Sequence, residues 1–251
     1  MRQNIVAGNW KMNLNAQEAS ELTKILVNSS QNVAPNTKVI LCTPNVYVNQ
    51  TAVLTKNTPI KVGGQNCSRF DKGAYTGETS ATMLKSVGAT YVIIGHSERR
   101  EYFNESNIQL LGKIKQAQAN HLKVILCCGE PLQERSSGNH IEFVTNQLGD
   151  LFEQLSKEEI GKLIVAYEPI WAIGTGETAS PAQAQEMHLV IRNLLAKYLT
   201  EEGANEISIL YGGSVKGNNA KELFSNPDID GGLVGGASLN AIDFLAIINA
   251  F

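Results

Sequence analysis

Eight short apolar runs recur about every 31 residues through the 251-residue chain, and they constrain its fold more than any other feature. They are Ile5–Trp10, Val39–Pro44, Ile60–Asn66, Tyr91–His96, Val124–Gly129, Leu163–Pro169, Ile207–Gly213 and Gly232–Gly236. Each is too brief for a helix. Several are solidly aliphatic or β-branched, as strands of a parallel sheet covered on both faces require. Between them lie stretches with helical composition and period, among them Ala16–Ser29, Glu105–Ala119, Ile141–Gln154 and Pro181–Tyr198. The last opens with Ser180-Pro181, a capping residue followed by a proline at the first helical position. It then carries Ala184, Met187, Val190, Ile191, Leu194 and Leu195 on one face. Alternating strand and helix without a linker suggests a closed (β/α)8 barrel or an open doubly wound sheet. The count of eight favours the α/β barrel, as one domain over residues 1–251.

Charge narrows the partners. Twenty-one Lys and Arg against 24 Asp and Glu give a net charge of −3, which excludes a globally basic nucleic-acid or membrane binder but not a local anion pocket. No apolar run approaches the roughly 20 residues of a membrane span. The first residues, Met1 to Asn13, hold no signal-peptide core, so a cytoplasmic location is expected. Cys42, Cys67, Cys127 and Cys128 show no CxxC spacing and read as reduced, buried thiols, with Cys127 and Cys128 on opposite faces of one strand. No His, Cys and carboxylate set has metal-ligand spacing, so no metal is expected.

In either α/β arrangement, ligands bind beyond the carboxyl ends of the strands. Those positions hold Asn9 and Lys11, His96 and Glu98, Glu130, Glu168, Gly212-Gly213-Ser214 and Gly235-Gly236. The two glycine turns follow the seventh and eighth runs, where backbone N–H groups can approach a phosphate closely. Glu168 ends the apolar run LIVAYEP, and apolar neighbours would raise its pKa towards that of a general base. His96 precedes Ser97-Glu98-Arg99-Arg100, which reads as a short helix capped by Ser97; its positive end would keep the imidazole neutral. His121, His140 and His188 read as structural or solvent-facing. Lys11 would supply a cation to the same rim. The stretch of about 170–180 after Glu168 is long for a strand-to-helix loop and rich in glycine, which suggests a lid.

Five segments carry a family resemblance: Gly8-Asn-Trp-Lys-Met-Asn13, Ile94-Gly-His-Ser-Glu-Arg-Arg100, Ala166-Tyr-Glu-Pro-Ile-Trp-Ala-Ile-Gly-Thr-Gly176, Tyr211-Gly-Gly-Ser214 and Leu233-Val-Gly-Gly-Ala-Ser238. In that order, and over the whole chain, the sequence resembles the triosephosphate isomerase family. The resemblance implies cofactor-free interconversion of dihydroxyacetone phosphate and D-glyceraldehyde 3-phosphate, a step of glycolysis and gluconeogenesis. It assigns proton transfer to Glu168, carbonyl polarisation to His96 and charge stabilisation to Lys11. Asn9 would position substrate oxygens, Glu98 would hold Lys11, and Gly174, Ser214, Gly235 and Gly236 would bind the phosphate. It also implies a homodimer in which loop 65–80 brings Thr76 near the partner's Lys11. The Cys67–Lys72 portion and Glu177 depart from the family's usual wording. A different phosphate-binding barrel enzyme would share the glycine turns but not the other three segments. A non-catalytic binding protein would be marked by loss of Glu168, His96 or Lys11, and all three are present.

Overall fold

The computed structural model describes residues 2–30, 33–173 and 178–251. All eight expected strands are present: β1 (Asn4–Asn9), β2 (Thr37–Thr43), β3 (Lys61–Gly64), β4 (Tyr91–Ile94), β5 (Lys123–Cys128), β6 (Leu163–Tyr167), β7 (Ile209–Tyr211) and β8 (Gly231–Val234). Each pairs in parallel with the next, and β8 returns to β1, so the sheet closes into a barrel. The open-sheet alternative is thereby excluded.

Two apolar layers follow from strand alternation. Ile5, Ala7, Ile40, Ile93, Ile125, Cys127, Ala166, Leu210 and Leu233 fill the barrel interior. Their neighbours in sequence, such as Val6, Val39, Leu126, Cys128 and Val165, face outward and pack with the surrounding helices. Cys127 and Cys128 therefore occupy different layers, and all four cysteines are free and buried. Barrel closure depends on Gly231. Its φ is +132°, and a Cβ there would lie 1.9 Å from the Ile5 carbonyl oxygen, so only glycine admits β1 this closely.

The helix Ala16–Ser29 has the expected bounds and a capping box made by Asn15 and Glu18. The helix Pro181–Tyr198 also has its expected bounds, with Ser180 as the cap. Its inner face is more polar than its aliphatic spacing suggests. Arg192 is buried and binds Asp228, Asp230 and the carbonyls of Ala204 and Ile207. His188 is fully buried, its Nδ1 lies 3.0 Å from the Asp228 carbonyl, and its ring meets Tyr167 edge-on at 5.9 Å. The ring thus supports the end of β6, one residue before Glu168.

Burial pushes His188 down to about 4 from its ordinary 6.5. Between those values the unfolded chain binds a proton that the native ring refuses, so stability falls as pH drops from about 6.5 to 4. The full effect is about 3 kcal/mol. Urea unfolding at pH 7 and pH 4.5 should show a larger loss for the wild type than for His188→Phe. Equal losses would remove His188 as the source.

Candidate active site at the carboxyl mouth of the barrel

The residues selected from strand ends meet at one mouth. Asn9, Lys11, His96, Ser214, Gly235 and Gly236 line a single cavity of about 560 Å³, with Ile173 at its edge. Glu168 lies beside it, its Cγ against Gly212. Gly174 and Glu177 lie outside the described residues, so of the 170–180 stretch only its two ends can be placed.

Local backbone chemistry fixes each group. Lys11 follows β1 with φ +52°, an uncommon conformation for a side-chain-bearing residue. Its N–H donates to Asn9 Oδ1 at 3.1 Å, and its carbonyl accepts from Gln65 Nε2 at 3.0 Å. Gln65 also donates to the Cys42 carbonyl, so one amide ties the Lys11 turn to the end of β2. The Lys11 ammonium reaches Glu98 Oε1 at 2.5 Å. Gln65 begins the loop after β3, and applying the strand-end rule there would have found it.

His96 itself caps the helix Ser97–Tyr102, which corrects the expected cap at Ser97. Its Nδ1 accepts the Glu98 N–H at 3.3 Å. The other nitrogen, Nε2, lies 2.9 Å from Glu168 Oε1. The second Glu168 oxygen accepts the Ser97 N–H at 2.8 Å. An Nδ1 that accepts leaves the ring proton on Nε2, the nitrogen beside the carboxylate.

These contacts overturn both expected pKa directions. Burial alone would raise Glu168, but the His96 ring and the Ser97 N–H hold its carboxyl below the usual range. Burial opposes charging of His96, yet Glu168, with Glu98 behind it, lifts the imidazole above its ordinary value. Glu168 is thus a stabilised carboxylate, with Oε2 hydrogen-bonded to the Ser97 N–H and Oε1 within ion-pair distance of the imidazole.

Glu130 at the end of β5 is buried, and its Oε1 accepts from Tyr167 Oη and Trp171 Nε1, both at 2.9 Å. It anchors the start of the 170–180 stretch next to Glu168. Burial raises its carboxyl above the ordinary value despite the two donors. On the far side, Gly235 and Gly236 leave space that side chains would occupy elsewhere. A Cβ on Gly235 would meet only the Lys11 Cε at 3.5 Å, and one on Gly236 nothing within 4 Å. Among the described residues no group of three His, Cys, Asp or Glu could hold a metal ion, and no helix is long and apolar enough to cross a membrane.

A closed parallel barrel whose carboxyl mouth gathers a carboxylate, an imidazole, a lysine and open glycine backbone is a (β/α)8 barrel with an acid–base site. Residues 4–251 match the family model described as Triosephosphate isomerase. Curated proteins named triosephosphate isomerase are 53% identical in Bacteroides fragilis and 52% in Phocaeicola vulgatus, each over 251 residues and all of both chains. One from Flavobacterium johnsoniae is 51% identical over 250 residues, again covering both chains completely. The chain belongs to the triosephosphate isomerase family.

Proposed function

We propose that this protein interconverts dihydroxyacetone phosphate and D-glyceraldehyde 3-phosphate through an enediolate, in glycolysis and gluconeogenesis. The observation that carries the reading is the approach of Glu168, His96 and Lys11 around one glycine-rimmed cavity. Glu168 removes the proton from the carbon beside the carbonyl and returns it to the adjacent carbon. His96 Nε2–H polarises the carbonyl and passes its proton between the two enediolate oxygens. Lys11 offsets the negative charge that develops, with Glu98 holding its ammonium and Asn9 positioning the substrate oxygens. The open backbone of Gly235 and Gly236, with Ser214 and Gly174, binds the phosphate.

The resting contacts of Glu168 give this scheme a sequence of events. Its oxygens face His96 and Ser97, so the carboxylate must leave both before it can reach a substrate carbon. Leaving them removes the interactions that hold its pKa down and retains its burial, so its basicity rises as substrate enters. Closure of the 170–180 stretch excludes water and keeps the enediolate from expelling its phosphate.

We also infer a cytoplasmic homodimer. Residues 71–78 of loop 65–80, including Thr76, are exposed. A cavity of about 610 Å³ lies beside Lys11, lined by Met12, Tyr102 and Phe103, which are 96%, 68% and 62% exposed. A partner's loop would fill it, and sedimentation as a monomer at micromolar concentration would refute this.

A coupled spectrophotometric assay with each triose phosphate tests the activity; folded protein that turns over neither would refute it. Ser214→Asp sets a carboxylate beside the phosphate position and should raise KM about tenfold or more, with a smaller change in kcat. An unchanged KM would move the phosphate elsewhere.

A further inference from the structure

The opposite mouth of the barrel, at the amino ends of the strands, carries an arrangement that the isomerase reading does not use. In a parallel ladder, residues side by side project to the same face. Lys38 of β2 lies beside Ile5, Lys61 of β3 beside Ile40, and Lys123 of β5 beside Tyr91. Ile5, Ile40 and Tyr91 all belong to the barrel interior. The three lysines therefore stand on the inward face at the amino mouth. They converge on one rim instead of pointing to separate patches of solvent.

Their charges are not neutralised there. Among the described residues no carboxylate lies within ion-pairing distance of Lys38, Lys61 or Lys123. Lys38 Nζ donates to the neutral Gln3 Oε1 at 2.8 Å, and Lys123 Nζ lies 6.0 Å from the centre of the Tyr91 ring. Burial, and after it the charges of Lys123 and Lys61, hold the Lys38 ammonium below its ordinary value. Next to this group is a cavity of about 400 Å³, lined in part by Gln3, Tyr91, Lys123, Lys162 and Ser208. Lys162 is engaged with Glu158 at 2.6 Å, and Glu206, which also lines the cavity, pairs with no lysine.

From this geometry we infer that the amino mouth of the barrel is a second anion site, which takes a small polyanion such as a polyphosphate or polycarboxylate across Lys38, Lys61 and Lys123. A polyanion would supply ion pairs to three like-charged ammonium groups that have none, at a rim beside the cavity that Lys123 lines. A single negative group would meet only one or two of them. The class is therefore defined by at least two charged groups on one small molecule. The site stands independently of the isomerase chemistry, because it shares no residue with the carboxyl mouth.

The test is calorimetric titration of the full chain with tripolyphosphate and, separately, citrate, at an ionic strength fixed with sodium chloride. The wild type should bind tripolyphosphate, and Lys38→Gln/Lys123→Gln should weaken that binding about tenfold or more. Lys38→Arg/Lys123→Arg, which keeps the charges, should retain it. Both double variants should keep the wild-type kcat and KM for triose phosphate, which also shows that they are folded. Citrate binding of similar strength supports recognition of charge alone, whereas binding of tripolyphosphate only supports a phosphate-selective form of the same site. Equal binding by the wild type and the Gln variant, or no binding by the wild type, would overturn the inference.

Discussion

Glu168→Gln is expected to lower kcat for triose phosphate by about 10²–10⁴-fold, while KM stays within a few-fold of wild type. The amide is nearly isosteric, and its oxygen can still accept the Ser97 N–H that now binds Glu168 Oε2. What it cannot do is take a proton from carbon. The loss therefore falls on the transition state and leaves the phosphate contacts proposed for Gly235, Gly236 and Ser214 untouched. A second reading separates this from general damage. Glu168 is a principal cause of the raised His96 pKa, so the imidazole should titrate lower in the variant. Proton NMR of the ring measures that directly. Unchanged kcat would remove Glu168 from the base role whatever the histidine does.

Gly129→Ala should be nearly as damaging, through the backbone. A Cβ at Gly129 would lie 1.7 Å from the Glu168 carbonyl oxygen and 2.6 Å from its carbonyl carbon. Neither atom can yield, because the Glu168 N–H is already bound to the Cys128 carbonyl at 2.7 Å. The ends of β5 and β6 must part to admit one methyl group. Overpacking of this kind costs about 3 kcal/mol or more, or roughly 10 °C in Tm for a chain of this size. Even protein that folds should lose about 10²-fold in kcat, since the carboxylate is carried out of position with its own backbone. Thermal melts and the triose phosphate assay check both effects. A variant with wild-type Tm and kcat would mean that the strand ends can separate freely.

The sequence discloses the barrel because parallel strands buried on both faces write themselves as continuous apolar runs, and their ends point to the ligand. That reasoning selects Asn9, Lys11, His96, Glu98, Glu168, Ser214, Gly235 and Gly236, and the structure brings them to one mouth. It fails where a property depends on contacts between distant strands. Glu168 has apolar neighbours along β6, but its carboxylate meets His96 and Ser97 beyond β4, which reverses the expected pKa shift. The helix cap supplied by the His96 ring is hidden for a local reason, since Ser97 is the commoner capping residue. The lysines of the amino mouth are legible as residues but not as a group. Only strand register shows that three separate strands turn them to the same side.

The four buried cysteines make the barrel its own recorder of opening. Burial pushes Cys42 and Cys67 up to about 12 and raises Cys127 and Cys128 as well, so native thiolate is scarce and reagent has no path to it. The thiols divide between the two layers: Cys42 and Cys127 lie within the barrel, Cys128 lies in the layer beneath the helices, and Cys67 packs into that same outer layer from the loop that follows β3. Labelling rates at the separate positions would distinguish a loop that lifts, a helix that peels away and a sheet that comes apart. No engineered cysteine is needed to time these events.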